Sequence, residues 1–286
     1  MAYRTDRDVT KESPDYRRIL AHLTPDRDHA AVFFSQSIDL SRTLPWIEAH
    51  QAATGRKLGI LALFVASAGR MLHEHPRLNR YASGWKLFQR DGVFVTLSTK
   101  KELRDGAHLV MLKIPILPGD DPDAVANRIT TTVGEGRSGQ KLRVEREVSS
   151  FLLIPNCILS LLVRVFIWLD RRHWLPGFFV DPDPMFTSLV VANLGSVGMD
   201  AAYHHLYEYG NCPFFAVIGK IKDVPTVVDG RVEIRPMVEI RYTFDERIED
   251  GLACAIALAG AKELIEDPSR WISGITDWGD RPPPHV

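Results

Sequence analysis

The sequence is short of several features that would point directly to a function. It has three cysteines in 286 residues, Cys157, Cys212 and Cys254. They show no metal-ligand spacing and cannot all pair with one another. Neither a zinc site nor a disulfide framework is expected, and the three read as small apolar residues of a reducing compartment. Net charge is almost absent: 35 Lys and Arg stand against 36 Asp and Glu, leaving −1. That balance offers no field to a polyanion, which excludes nucleic acid as the main partner. Met1 leads into Ala-Tyr-Arg-Thr-Asp-Arg-Asp with no apolar signal core, so a cytoplasmic protein is expected. There is no glycine-rich phosphate loop, internal repeat or low-complexity tract. What is present is ordinary: 45% hydrophobic and 25% charged residues, enough chain for one large core.

Strand-like and helix-like segments interleave from end to end, the mark of one α/β domain. Tyr16–Leu23 reads as a short helix, and Ala31–Gln36 with its polar follow-on Ser37–Asp39 as a strand. Leu44–Thr54 and Lys57–His75 read as helices, the second with Leu58, Leu61, Phe64, Val65, Ala68 and Leu72 on one stripe. Asp91-Gly92 signals a turn before strands Val93–Leu97 and Leu109–Ile114. Asp121–Val133 follows as a helix and Gly134–Gln140 as a loop. Thr187–Asn193, Phe214–Lys220 and Val232–Thr243 are further strands, and Leu252–Glu266 is a helix stopped by Asp267-Pro268. Residues 1–15 and 271–286 are expected as tails around a domain at 16–270.

Phe151–Leu169 is nearly continuous apolar sequence closed by Asp170-Arg171-Arg172. Pro155, Asn156 and Arg164 argue against a membrane span. The segment is expected as a helix buried in the core or at a subunit contact. The sharper alternatives are a lid or channel for a fatty chain, or a peripheral contact with a membrane.

Near the C-terminus stands Tyr242-Thr243-Phe244-Asp245-Glu246-Arg247-Ile248-Glu249-Asp250-Gly251, followed by the helix and its acidic-Pro stop. This resembles the Phe-Asp-His-Arg-x-x-Asp-Gly signature of the 2-oxoacid dehydrogenase acyltransferase catalytic domains, kin to chloramphenicol acetyltransferase. Val191-Ala192-Asn193-Leu194-Gly195-Ser196-Val197-Gly198 is similar to that family's Ser-Asn-Leu-Gly-x-x-Gly strand and turn, with Ala216-Val217-Ile218-Gly219 following at the expected distance. His73-Glu74-His75-Pro76-Arg77-Leu78-Asn79 is similar to the family's helix end and turn, and Arg17-Arg18-Ile19-Leu20-Ala21 sits where its opening basic helix lies. The resemblance runs in order over about residues 16–268, with an apolar insertion at about 141–185.

The resemblance implies a two-layer α/β sandwich with a mixed sheet that forms trimers, with each active site in a channel between subunits. It implies coenzyme A or acyl-CoA as substrate, no metal, and a homotrimer or larger assembly. It also implies a histidine base, a serine hydroxyl for the oxyanion, and an Asp held by an arginine of the opening helix. This sequence departs at both catalytic positions: Glu246 stands at the histidine and Ala192 at the serine. A carboxylate at its ordinary pKa of about 4.3 is a weak base towards a thiol of about 8.5, although burial in an apolar channel raises a carboxylate's pKa.

The candidate catalytic residues are therefore Glu246 and Asp250. Supporting positions are Ala192, Asn193, Gly195, Arg247, Gly251, Arg17 and Arg18, with His204, His205 and Ser188 as reserves. Asp250 is also placed to cap the following helix, and Gly251 to ease entry into it. Arg247 should pair with a neighbouring carboxylate. Strand alternation sets Asn193 opposite Ala192 and Ser188 on the Ala192 side. His204 and His205, being adjacent, should point apart, so at most one reaches a channel. Asp245, Glu246, Glu249 and Asp250 lack the alternation of a calcium loop and read as a charged turn. No lipoyl domain is seen in this chain, so an acyl group must come from a free carrier or another protein. Two functions remain open: an acyltransferase working on an acyl thioester with non-standard residues, or an inactive scaffold or binding subunit.

Overall fold

The computed structural model describes residues 5–100, 109–137 and 154–273. The β-branched and aromatic segments assemble into a six-stranded sheet. In spatial order its strands are β2 (Ala31–Asp39), β9 (Arg231–Asp245), β8 (Phe214–Val228), β7 (Leu189–Asn193), β5 (Val93–Lys100) and β6 (Leu109–Ile116). β7 runs parallel to both of its neighbours and the other pairs are antiparallel, so the sheet is mixed. A second small sheet joins β1 (Arg7–Asp8), β4 (Lys86–Gln89) and β3 (Arg80–Ser83). Part of segment 1–15 is thus no tail: Arg7 pairs with Gln89, and Val9 is fully buried against Leu87 and Ile248.

The helices are α1 (Asp15–Leu23), α2 (Thr43–Thr54), α3 (Ile60–Glu74), α4 (Pro122–Arg137), α5 (Asn156–Arg171) and α6 (Gly251–Glu266). The two-residue period of the strands decides the layering. Ile240, Tyr242 and Phe244 of β9, with Val95, Leu97 and Val191, face the helices and pack on Leu63, Phe64, Ala261 and Leu264. The alternate residues face the other way. There Val190, Phe215 and Val217 are covered by Leu206 and Cys212 of the loop that joins β7 to β8, and Thr243 Oγ1 donates to the carbonyl of His204 at 2.6 Å.

Three expectations change. The helix expected to end at Val133 continues to Arg137, so Gly134 and Gly136 are helical rather than loop. Gly136 allows a close approach to β6, since a Cβ there would lie 3.0 Å from Leu112. Residues 138–140 of that expected loop lie outside the described residues, as do Phe151, Leu152 and Leu153.

The second change concerns the apolar segment, which is not buried in the core. α3 and α6 already fill the helical face of the sheet. α5 instead sits apart, held mainly at its C-terminal end. Phe166 and Leu169 pack on a small cluster with Leu175, Val180 and Phe186, and Ser83 Oγ donates to the Asp170 carbonyl at 2.9 Å. Leu161 is left 61% exposed. No described helix is long and apolar enough to cross a membrane.

The third change concerns β8, which runs to Val228 rather than Lys220 and turns into β9 at Asp229-Gly230; β9 itself stands within two residues of its expected bounds. Asp229 and Gly230 have φ of 48° and 76°, the left-handed pair that a two-residue hairpin requires.

Candidate functional site

The site is built on the short connection between β9 and α6. Asp245 closes β9 opposite Ala31 of β2 and is fully buried. Its carboxylate accepts from Arg247 Nε at 2.8 Å and Nη2 at 2.7 Å, a two-pronged pair. Arg247 also donates to the carbonyls of Thr24 and Pro25, each at 3.1 Å. Arg27 stands 3.8 Å from Asp245 and donates to the Gly210 carbonyl at 3.1 Å. Desolvation lowers the pKa of the Arg27 guanidinium, and Asp245 opposes that shift. For Arg247 burial lowers the pKa, but Asp245, together with Glu208 and Asp26, raises it, and the net shift is upward. These groups tie three separate stretches of chain into one rigid base beneath the connection.

Glu246 projects from that base. Its N–H donates to the Ala30 carbonyl at 3.0 Å, and its carbonyl accepts from Arg17 Nη1 at 3.2 Å. Its main chain is fixed on both sides, while its half-buried side chain has no hydrogen bond or ion pair among the described residues. Ile248, fully buried with Val9 and Leu87, pins the next residues down.

Asp250 accepts from the Ala253 N–H at 3.0 Å and so caps α6. Its side chain is otherwise mostly exposed and lies 3.9 Å from Arg17. The arginine of the opening helix makes its close pair with Glu249 instead, at 3.0 Å, and both groups are buried. Glu249 also lies 3.4 Å from Arg77. Glu249 was missed from sequence because the motif directs attention to Asp250, one residue later. Arg18 points away and pairs with Asp15 on the surface. Gly251 has open space where a Cβ would stand and no left-handed φ, so helix entry does not require glycine there.

On β7, Ala192 lies in register between Ser98 of β5 and Val217 of β8. Ser98 therefore sets a half-buried hydroxyl on the same sheet face as Ala192, one strand away, a neighbour that only strand order reveals. Asn193 supplies no free amide oxygen: its Oδ1 accepts from the Ser196 N–H at 3.2 Å and caps the tight turn Leu194–Val197. Gly195 is required by contact, because a Cβ there would lie 2.4 Å from the Gly219 carbonyl oxygen.

All three reserve positions are engaged elsewhere. Ser188 is fully buried and precedes β7; its hydroxyl accepts from the Phe94 N–H at 3.1 Å, extending the sheet's bonding rather than facing a site. His204 and His205 do not point apart. Their rings stack with centroids 4.7 Å apart, and His204 also lies flat on Phe215 at 3.9 Å. Both rings are committed to an aromatic pile with Tyr207.

An open groove of about 510 Å³ runs between the β8–β9 hairpin and residues 200–201. Lys220 and Lys222 on its wall pair with Asp200 at 3.7 and 2.6 Å. Glu246 does not line this groove. Among the described residues no group of three or more His, Cys, Asp or Glu could hold a metal ion.

Residues 186–273 match the model of the 2-oxoacid dehydrogenases acyltransferase catalytic domain. The dihydrolipoyllysine-residue succinyltransferase component of the Escherichia coli K12 2-oxoglutarate dehydrogenase complex is 44% identical over 67 residues, 23% of this chain. That match spans only 16% of the relative's own length. A probable dihydrolipoamide acetyltransferase from Listeria monocytogenes superposes with a TM-score of 0.61 at 16% identity, covering 88% of this chain and 89% of that one. Chloramphenicol acetyltransferase superposes with a TM-score of 0.53 at 11% identity, covering 92% and 99%. The fold is that of these acyltransferase cores, and the C-terminal third of the chain carries the family's catalytic-domain pattern.

Proposed function

We propose, for a chain with the fold of these acyltransferase cores, a coenzyme-A-dependent acyl transfer at a channel formed between subunits, with Glu246 as the base. Glu246 takes the proton from an attacking hydroxyl, thiol or water. The attacking atom bonds to the thioester carbonyl carbon, the carbon–sulfur bond breaks, and the departing coenzyme A thiolate receives the proton back from Glu246. The observation that supports this reading most is the contrast within three residues. Asp245 and Arg247 are buried and bonded to each other, while the side chain between them has no partner and its main chain is clamped. A catalytic group needs that combination of fixed backbone and unspent side chain.

The oxyanion would be met by Ser98 in place of the missing serine hydroxyl, from the strand beside Ala192. The neighbouring subunit would close the channel, within a homotrimer or larger assembly. The relative's name assigns its acyl group to a dihydrolipoyllysine residue; here the acyl donor is an acyl-CoA and the acceptor is carried by another molecule. Asp250 and Glu249 position the loop rather than react.

The second reading, an inactive binding or scaffold subunit, is favoured by Ala192 itself, since a methyl group donates nothing to an oxyanion. One experiment separates the two. Thiol release is followed across acyl-CoA chain lengths with the wild type and Glu246→Gln, with acyl-CoA binding measured in parallel by calorimetry. Turnover that depends on Glu246 supports the enzyme. Binding without turnover supports the scaffold, and absence of both rejects the coenzyme A site altogether.

A further inference from the structure

The surface of α5 has the composition of a lipid-binding face. At 100° per residue, Ile158, Leu161, Leu162, Val165 and Trp168 fall within an arc of about 120°. All five are exposed; of the two docking residues Phe166 lies to one side of the arc, while Leu169 falls within it at the anchored C-terminal end. The apolar surface continues past the helix. Trp174 meets Trp168 edge-on at 5.6 Å, and Phe179, itself against Phe178 at 4.2 Å, meets Phe166 at 6.3 Å. Trp174 is 63% exposed, and both phenylalanines are about half exposed.

Among the described residues of α5 the exposed charge has one sign. Arg172 stacks on Trp168 with its guanidinium carbon 3.8 Å from the ring centroid, and reaches Trp174 at 5.9 Å. Arg164, one helical turn before Trp168, has no carboxylate partner among the described residues. Arg171 is occupied by Asp26 and Glu208, each at 3.2 Å. The only carboxylate on α5, Asp170, is buried, and Asp181 lies beyond the phenylalanine pair.

We infer that this face of α5 and the following Trp174–Phe179 stretch bind the surface of an anionic lipid bilayer, with the helix lying flat in the interface. The chemistry matches part by part. Leucine, valine and phenylalanine enter the acyl boundary, indoles sit at headgroup level, and unpaired arginines meet lipid phosphates. A helix of 16 residues is too short to span and long enough to lie along the surface. A second copy of the chain fits less well. A two-fold contact sets the patch against itself, which would bring Arg164 and Arg172 against their own kind with no rim carboxylate on α5 to meet them. The anchored C-terminal end of α5 keeps the face presented, since Ser83, Gly84, Asp26 and Glu208 hold Asp170 and Arg171 in place. The inference does not depend on the proposed reaction.

Cys157 provides the probe, being exposed at the start of α5 beside the arc, whereas Cys212 and Cys254 are buried. The full chain is labelled at Cys157 with a polarity-sensitive fluorophore. It is mixed with large unilamellar vesicles of phosphatidylcholine alone or with phosphatidylglycerol at about 7:3, and co-sedimentation is measured alongside.

A blue shift and pelleting with the anionic vesicles are expected. In Leu161→Asp/Val165→Asp partitioning should drop by about tenfold or more. Arg164→Glu/Arg172→Glu should weaken binding to the anionic vesicles and leave the weak binding to the neutral ones unchanged. The altered residues are exposed, and circular dichroism checks that the fold is kept. Two results overturn the inference: no binding of the wild type to either vesicle, or equal binding by the Leu161/Val165 variant. A loss of molar mass by light scattering in that variant also overturns it, because the face would then be covered by another copy.

Discussion

Arg17 Nη2 lies 3.0 Å from Glu249 Oε1, with both side chains buried, whereas the neighbouring Asp250 carboxylate is 3.9 Å away and largely in water. The opening helix is therefore fastened to the β9–α6 connection through Glu249, and Asp250 is left to cap α6. Removing Glu249 strands a buried guanidinium, so Glu249→Ala should cost about 3 kcal/mol or more. Asp250→Ala should cost about 1 kcal/mol, the value of a helix cap. Urea unfolding of the two variants checks the order. Equal losses would show that the buried pair does not fasten the loop.

Glu246 offers the opposite behaviour, since its side chain supports nothing in the fold. Glu246→Gln should leave the unfolding midpoint within about 0.5 kcal/mol of the wild type, while thioester turnover falls by about 10²-fold or more. Ser98→Ala should lower turnover by about 10²-fold through the lost oxyanion donor, and Ala192→Ser should raise it. Steady-state thiol release measures all three. Unchanged turnover in Ser98→Ala would remove that serine from the site.

Gly195 and Gly219 each sit hard against neighbouring backbone. A Cβ on Gly195 would meet the Gly219 carbonyl oxygen at 2.4 Å, and one on Gly219 would meet the Ala201 nitrogen at 2.6 Å. The opposing atoms are backbone and cannot swing aside. Gly195→Ala and Gly219→Ala should each destabilise by about 2 kcal/mol or more, whereas Gly251→Ala, facing open space, should be neutral or slightly stabilising. Thermal unfolding of the three variants separates contact from conformational freedom.

Burial pushes the Cys212 thiol up to about 11 and the Cys254 thiol up to about 12. In the native protein an aromatic disulfide reagent at neutral pH should therefore titrate one thiol, the exposed Cys157, and all three after denaturation. The folded state holds these two protons more tightly than the unfolded chain. Their contribution to stability is complete below the unfolded thiol value of about 9 and is lost as pH rises through about 11 for Cys212 and about 12 for Cys254. Between those limits the melting temperature of Cys212→Ala should fall less steeply than that of the wild type.

The periodic segments were readable because each has one apolar face and the sheet has two sides. Asp121–Val133 and Val93–Leu97 stand where their patterns place them, extended by a few residues. β3 and β4 escaped because four-residue strands broken by Gly84 and Trp85 carry too few residues to show a period. The far half of β8 is not legible although Asp229-Gly230 marks its turn, because Lys220 and Lys222 interrupt the apolar run and the residues beyond them have no core to face.

At the site, Asp250's capping role followed from its place before a helix. Glu249 and Ser98 did not, since one depends on where Arg17 arrives and the other on which strand lies beside β7. α5 misled for a different reason: apolar content indicates that a surface must be covered, and does not say by what.

The hairpin beyond the bulge at Ile218–Ile221 has a consequence of its own. Residues 224–228 and 231–235 pair only with each other, with no third strand among the described residues, and Val227, Val232 and Ile234 are exposed on them. A lone two-stranded ribbon is barely stable in water, so its rigidity must be lent by whatever presses on it. Deuterium uptake at those amides should therefore slow as the protein is concentrated and quicken on dilution, making the ribbon tip a built-in gauge of association.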